Sequence, residues 1–163
     1  MHGLQIMTDW RIRLSPVLTP MFRAWWRFRR PVTLGVRTVA TDAHGRVLLV
    51  RHTYSPGWHF PGGGVEHGES AETAARRELM EEGGVEPAAP LTLIGFYTNH
   101  HNFPNDHIAL YRAEAWRPCP PAADGEIAER GFFAIDALPE GVREGTRRRI
   151  AEIFLSAPAS GEW

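Results

Sequence analysis

No lysine occurs anywhere in this 163-residue chain, so all 18 of its formal basic residues are arginine, which reads as composition bias rather than as a functional signal. Cysteine is almost as scarce. The single one, Cys119, excludes an intrachain disulfide and suits a reducing compartment. It sits in the loop-like Arg117-Pro118-Cys119-Pro120-Pro121 with no His or Cys at ligand spacing, so a structural thiol is expected rather than a nucleophile. No apolar run approaches the roughly 18–20 residues that cross a bilayer. The first residues also lack the apolar core and small-residue cleavage site of a signal peptide, and a cytoplasmic setting is expected. Neither sign of charge is in excess: a formal net charge of −1 argues against a long nucleic acid as partner and leaves a small nucleotide open. There is no internal repeat, and at 43% apolar content a chain of this length is expected to form one domain with a real core.

Residues 1–30 differ in texture from the rest. Trp10, Phe22, Trp25, Trp26 and Phe28 alternate with arginines, and Met21, Trp25 and Phe28 share one side of a short predicted helix. This arm is expected to pack on its own domain or on a second copy in a homodimer, with a membrane surface as the lesser reading. From Pro31 the pattern turns to β. Residues 32–40 and 46–51 read as two strands of a hairpin around the turn at 41–45. Further strands are expected at 91–98, 107–116 and 126–135, with a closing helix over 142–155 that turns Ile150, Ile153 and Phe154 inward. The adjacent His100 and His101 fall in a loop, and residues 157–163 are expected to fray.

Between these strands lies the stretch that carries chemistry. A glycine turn, Gly62-Gly63-Gly64, leads to a helix capped at Ser70 and closed at Gly83-Gly84. On a helical wheel Glu78, Glu81 and Glu82 share one face, and like charges at such spacing repel. An ordinary solvated face is the alternative. A divalent cation would relieve the repulsion, and hard carboxylate oxygens favour Mg²⁺ or Mn²⁺, which also prefer to keep positions for water and substrate phosphate.

The spacing of Gly63, Glu69, Arg77, Glu78, Leu79, Glu81, Glu82, Gly84 and Val85 matches G-x5-E-x7-R-E-U-x-E-E-x-G-U, with U aliphatic, at every specified position. In this the chain resembles the Nudix hydrolases, which cleave nucleoside diphosphates linked to another group. The resemblance implies an α/β fold, a Nudix-type α/β/α sandwich with a curved mixed β-sheet, over residues 31–156. It implies metal ligation by Glu78, Glu81 and Glu82 together with the Gly62 carbonyl. It makes Glu69 and Arg77 a supporting ion pair that orients the catalytic carboxylates Glu78 and Glu81.

By the same resemblance a loop glutamate before the late strand serves as base or extra ligand, and of Glu126 and Glu129 the latter is expected, being nearer the strand. Flanking segments line the substrate cleft, making Arg51, Trp58 and Tyr97 the expected substrate contacts, with core packing the alternative for the aromatics. The expected activity is Mg²⁺-dependent cleavage of a pyrophosphate bond in a nucleotide sugar, an ADP-ribose-like compound or a nucleoside triphosphate. A non-catalytic nucleotide sensor and a hydrolase of a lipid-linked diphosphate are the alternatives.

Overall fold

The computed structural model describes residues 32–122 and 125–163, and the expectations for the N-terminal arm lie outside them. Strand β1 (Thr33–Ala40) ends in a turn closed by Asp42, whose Oδ1 accepts the N–H groups of His44 and Arg46 at 2.9 Å each. Strand β2 (Val47–His52) follows. The two do not form the expected hairpin, because the edge of β1 that β2 would use is already taken. Val36 N–H donates to the Gly63 carbonyl at 2.8 Å, Thr38 N–H to that of Pro61 at 2.9 Å, and Val65 N–H to that of Leu34 at 2.9 Å. The glycine turn is therefore stitched along β1, which leaves only an isolated bridge between Thr41 and Val47.

The strands divide accordingly. β1 runs parallel to β6 (Asp106–Ala113), which pairs antiparallel with β5 (Thr92–Thr98), giving a mixed sheet in the order β1-β6-β5. β2 lies antiparallel between the short β3 (Trp58–His59) and β8 (Ile127–Phe133). β4 (Val85–Pro87) pairs with β7 (Trp116–Pro118), so the single strand expected over 107–116 is split after Ala113. Helix α1 (Ala71–Gly83) begins where Ser70 Oγ accepts the Thr73 N–H at 3.1 Å and ends at left-handed Gly84. Helix α2 (Glu144–Phe154) closes the fold. The result is a mixed α/β domain with two helices among the described residues.

Side-chain alternation along the strands sorts the core into two clusters. Val36, Ala40, Leu48 and Ala109 pack with Ala74, Ala75 and Leu79 of α1. Val39, Val47, Leu49 and Leu110 pack with Trp58, Phe60 and Ile150 of α2. Burying side chains of this size contributes about 1.5–3 kcal/mol each, so both helices are firmly held. Ile153 and Phe154 join Ile150 on the inward side of α2 as expected.

The tail does not fray. Thr98 N–H donates to the Gly161 carbonyl at 2.9 Å and Trp163 N–H to the Thr98 carbonyl at 2.8 Å, extending the edge of β5. The Trp163 ring meets Tyr97 with centroids 5.8 Å apart, and the buried Arg149 guanidinium lies 4.1 Å over the Tyr97 ring.

Candidate active site

The glycine turn and the acidic face of α1 are joined through Glu82. This carboxylate is 7% exposed; its Oε2 accepts the Gly62 N–H at 2.7 Å and its Oε1 lies 2.6 Å from His52 Nε2, at the end of β2. Gly62 has φ 149°, and a Cβ there would overlap the Val36 carbonyl group and come within 2.9 Å of Arg37 Cα. At Gly63 the crowding is of another kind, since a Cβ would stand 2.8 Å from the carboxyl carbon of Glu78. The turn thus lies hard against β1 at Gly62 and against the Glu78 carboxylate at Gly63.

Arg77 organises the remaining acids. Its guanidinium donates to Glu69 at 2.9 Å, to Glu78 at 2.7 Å, to Glu81 at 3.2 Å and to the Gly64 carbonyl at 3.3 Å. The Glu69 hydrogen bond is the chief cause of a raised Arg77 pKa, and the same bond holds Glu69 below the usual carboxylate range. Glu78 behaves differently: burial pushes its carboxyl up, the Arg77 bond opposes this, and Glu82 and Glu81 add repulsion. The expected pairing of Glu69 with Arg77 is therefore present in the geometry, alongside bonds from Arg77 to two of the proposed metal ligands.

A second arginine, which the sequence reading did not single out, touches the turn from the opposite side. Arg37 on β1 donates to the Phe60 carbonyl at 2.9 Å and to the Gly62 carbonyl at 2.6 Å, the carbonyl expected to face a metal ion. Burial lowers its pKa, and Glu82 and Glu78 oppose that shift. In this arrangement, among the described residues, no three acidic or imidazole side chains close around one point. Each carboxylate instead leans on a protein donor. The donor set itself, carboxylates of Glu78, Glu81 and Glu82 beside a backbone carbonyl, is all hard oxygen and fits Mg²⁺ or Mn²⁺.

Glu129 is not brought to this cluster. It pairs with Arg51 across β8 and β2, and directly opposed residues share one face of the sheet. Leu48 packs toward α1 while Val47 and Leu49 pack toward α2, so Arg51 and Glu129 fall on the α2 side and His52 on the α1 side, where it meets Glu82. Tyr54 stacks at 5.1 Å against His52, and its hydroxyl pKa is raised by partial burial and then by the negative fields of Glu126, Glu82 and Glu78. One phenol thus senses the loop glutamate and two of the box carboxylates. Trp58 and Tyr97 are core residues, each 8% exposed, so they are not placed to stack a substrate base, whereas Tyr54 and Phe96 are open to solvent.

On the α2 side opens a cavity of about 1060 Å³, whose lining includes no residue of the glycine turn or of α1. Arg37 lines it and connects it to Gly62, while Arg143, Arg147, His59 and the loop residues Asn99 and Asn102 form other walls. Burial, with Arg37, His52 and Arg143 adding positive charge, lowers the His59 pKa to about 3, so this imidazole is neutral at physiological pH. Arg37 and His52 carried a usable sequence signal, since each is a charged or polar residue interrupting an apolar strand on a definite face. Arg143 and the tail carried none, because their positions depend on long-range packing.

A family model, the NUDIX domain, matches residues 31–153, and the chain belongs to that family. An RNA pyrophosphohydrolase of Caulobacter vibrioides is 45% identical over 87 residues, covering 50% of this chain and 49% of that protein. The chain thus spans about half the length of this curated relative. The crystal structure of a MutT NUDIX hydrolase from Burkholderia pseudomallei superposes with a TM-score of 0.64 at 27% identity, covering 74% of this chain and 97% of the other. An ADP-ribose pyrophosphatase structure from Streptococcus suis shares the fold at a TM-score of 0.55 and 23% identity, over 80% of this chain and 96% of that one.

Proposed function

We propose that this protein hydrolyses a pyrophosphate bond in a nucleoside diphosphate derivative, with Glu78, Glu81 and Glu82 holding Mg²⁺ or Mn²⁺. The observation that carries this reading is the junction at Gly62, whose N–H is held by Glu82 of the acidic helix face and whose carbonyl is held by Arg37, an arginine that also lines the cavity. The ion would supply positive charge for the diphosphate and an acidified water. The rest falls to the chain. Arg77 fixes Glu78 and Glu81 in orientation, and Glu82 ties the turn to the helix so that neither can drift. Glu78, whose carboxyl is shifted toward neutrality by burial, is suited to take a proton on a carboxylate oxygen, and Glu126, whose charge acts on Tyr54 together with those of Glu82 and Glu78, is the candidate carboxylate from outside the helix.

The cavity accommodates the part of the substrate beyond the phosphates, and Arg37 stands between the two regions. Nucleotide sugars, ADP-ribose-like compounds and nucleoside triphosphates all have the required bond, and the Caulobacter relative is named for pyrophosphate hydrolysis on RNA. The test is a panel of such compounds incubated with purified protein and Mg²⁺, with release of phosphate or nucleoside monophosphate as readout. Turnover of one member supports the reading. Tight binding of a nucleotide with no turnover under any divalent metal would make the chain a sensor instead.

A further inference from the structure

Arg37 is the only charged residue of β1. Burying a guanidinium is costly unless its donors and its charge are both met. The donors are met by backbone, since Nη1 donates to the Phe60 carbonyl at 2.9 Å and to the Gly62 carbonyl at 2.6 Å. The charge is met by the fields of Glu82 and then Glu78, which oppose the effect of burial on its pKa. An arginine stays protonated in such a setting. A permanent cation is therefore bonded to the one backbone carbonyl that the box acids would be expected to share with a divalent ion.

The carbonyl has no freedom to turn away. Thr38 N–H holds the Pro61 carbonyl at 2.9 Å and Val36 N–H holds that of Gly63 at 2.8 Å, so the residues on either side of Gly62 are fixed to the strand that carries Arg37. Glu82 Oε2 takes the Gly62 N–H at 2.7 Å, and a Cβ at Gly62 would come within 2.9 Å of Arg37 Cα. The turn and the arginine move as one piece.

A metal ion on the same oxygen would meet that charge. With Mg²⁺–oxygen bonds of about 2.1 Å and the guanidinium nitrogen at 2.6 Å, the two cations would stand about 4 Å apart, where like charges in a partly buried site repel strongly. Arg77 creates no such conflict for the carboxylates. It takes Oε1 of Glu78 and Oε2 of Glu81, which leaves the other oxygen of each, and a negative charge, for an ion. The Gly62 carbonyl has neither a second oxygen nor a charge to offer.

We propose, resting on the hydrolase reading above, that the Arg37 guanidinium takes the place of a divalent ion at the Gly62 carbonyl. Metal is then held by the box carboxylates without that carbonyl, and the positive charge on the inner side of the turn is built into β1, where it also forms part of the cavity wall.

The test counts bound Mn²⁺ by EPR titration and calorimetry in the protein, in Arg37→Met and in Arg37→Lys, each at a temperature where it is folded. Arg37→Met removes the charge and the donors at similar length, and it should bind one more Mn²⁺, or the same number about ten-fold or more tightly. Arg37→Lys keeps the charge and should behave as the unaltered protein does. Equal counts and affinities in all three would overturn the proposal. Should Arg37→Met not fold, anomalous diffraction from Mn²⁺-soaked crystals of the unaltered protein decides the matter. Mn²⁺ on the carboxylates with Arg37 still bonded to the Gly62 carbonyl is the expected result. Mn²⁺ bonded to that carbonyl would overturn the proposal and leave the hydrolase reading standing. Mn²⁺ bound as expected, with no member of the substrate panel turned over, would do the reverse, and an unaltered protein that binds no Mn²⁺ would overturn both.

Discussion

Alanine substitution at two adjacent glycines separates what the turn does for the fold from what it does for the site. At Gly62 a new Cβ would run into the Val36 carbonyl and sit 2.9 Å from Arg37 Cα, at a φ of 149°. Backbone on both sides cannot yield without breaking the stitching along β1, so Gly62→Ala should cost more than about 4 kcal/mol and leave little folded protein. At Gly63 the obstacle is the end of a side chain, the Glu78 carboxyl carbon at 2.8 Å. Ordinary carbon contacts lie at about 3.5–4.0 Å, so Glu78 must retreat by about 1 Å, which its side-chain torsions allow. Gly63→Ala should therefore change stability by only about 1 kcal/mol while lowering kcat by about 10²-fold, the usual consequence of misplacing a catalytic group by that distance. Chemical denaturation and steady-state kinetics on a substrate found by the panel measure both quantities. Near-normal turnover in Gly63→Ala, or its unfolding alongside Gly62→Ala, would refute this reasoning.

Three further outcomes follow. Glu126→Gln should lower kcat by about 10²-fold or more and Glu129→Gln by less than about three-fold under saturating Mg²⁺, since Glu129 faces the α2 side with Arg51 whereas the charge of Glu126 acts on the same Tyr54 as those of Glu82 and Glu78; the opposite ranking would contradict the facing of β8. His59 has a folded pKa of about 3, so as pH falls below its ordinary value of 6.5 the unfolded chain takes up a proton that the folded one refuses. Stability is therefore lost between pH 6.5 and about 3, and denaturation curves of the protein and of His59→Asn should diverge over that window; parallel curves would refute it. Trp163→Ala should lower unfolding free energy by about 1–3 kcal/mol in urea, because it uncovers Tyr97 and Arg149, whereas a frayed tail would give no change.

Much of the site was legible because its residues are local. Ser70, Arg77, Glu78, Glu81, Glu82 and Gly84 lie on one helix and its ends, where a period near 3.6 and cap chemistry settle which side chains meet. What could not be read was pairing between distant strands. Residues 32–40 and 46–51 have every mark of a hairpin, yet residues 61–65 win the edge of β1, a competition between backbones with no side-chain signature. The same ignorance misplaced Glu129. It lies inside β8 rather than in the loop before it, and its face depends on the register Arg51–Glu129, which no local pattern states. Trp58 and Tyr97 look alike as core or as stacking platforms until the neighbours Phe133, Arg149 and Trp163 are placed around them. Glu82, too, looks from sequence like any of the three acids, and only the structure shows it buried between His52 and Gly62.

That burial makes Glu81 the cleaner probe of metal-dependent hydrolysis, because its side chain is 45% exposed and its side-chain partner, Arg77, has three other acceptors. The direct measurement is turnover of a cleavable nucleoside diphosphate derivative across a Mg²⁺ series, for the protein and for Glu81→Gln at matched thermal stability. Turnover that vanishes without divalent metal and falls by about 10²-fold or more in Glu81→Gln is the predicted result. Cleavage that persists in excess chelator, or that Glu81→Gln leaves unchanged at limiting Mg²⁺, would contradict the assignment of this helix face as a metal-dependent hydrolytic centre.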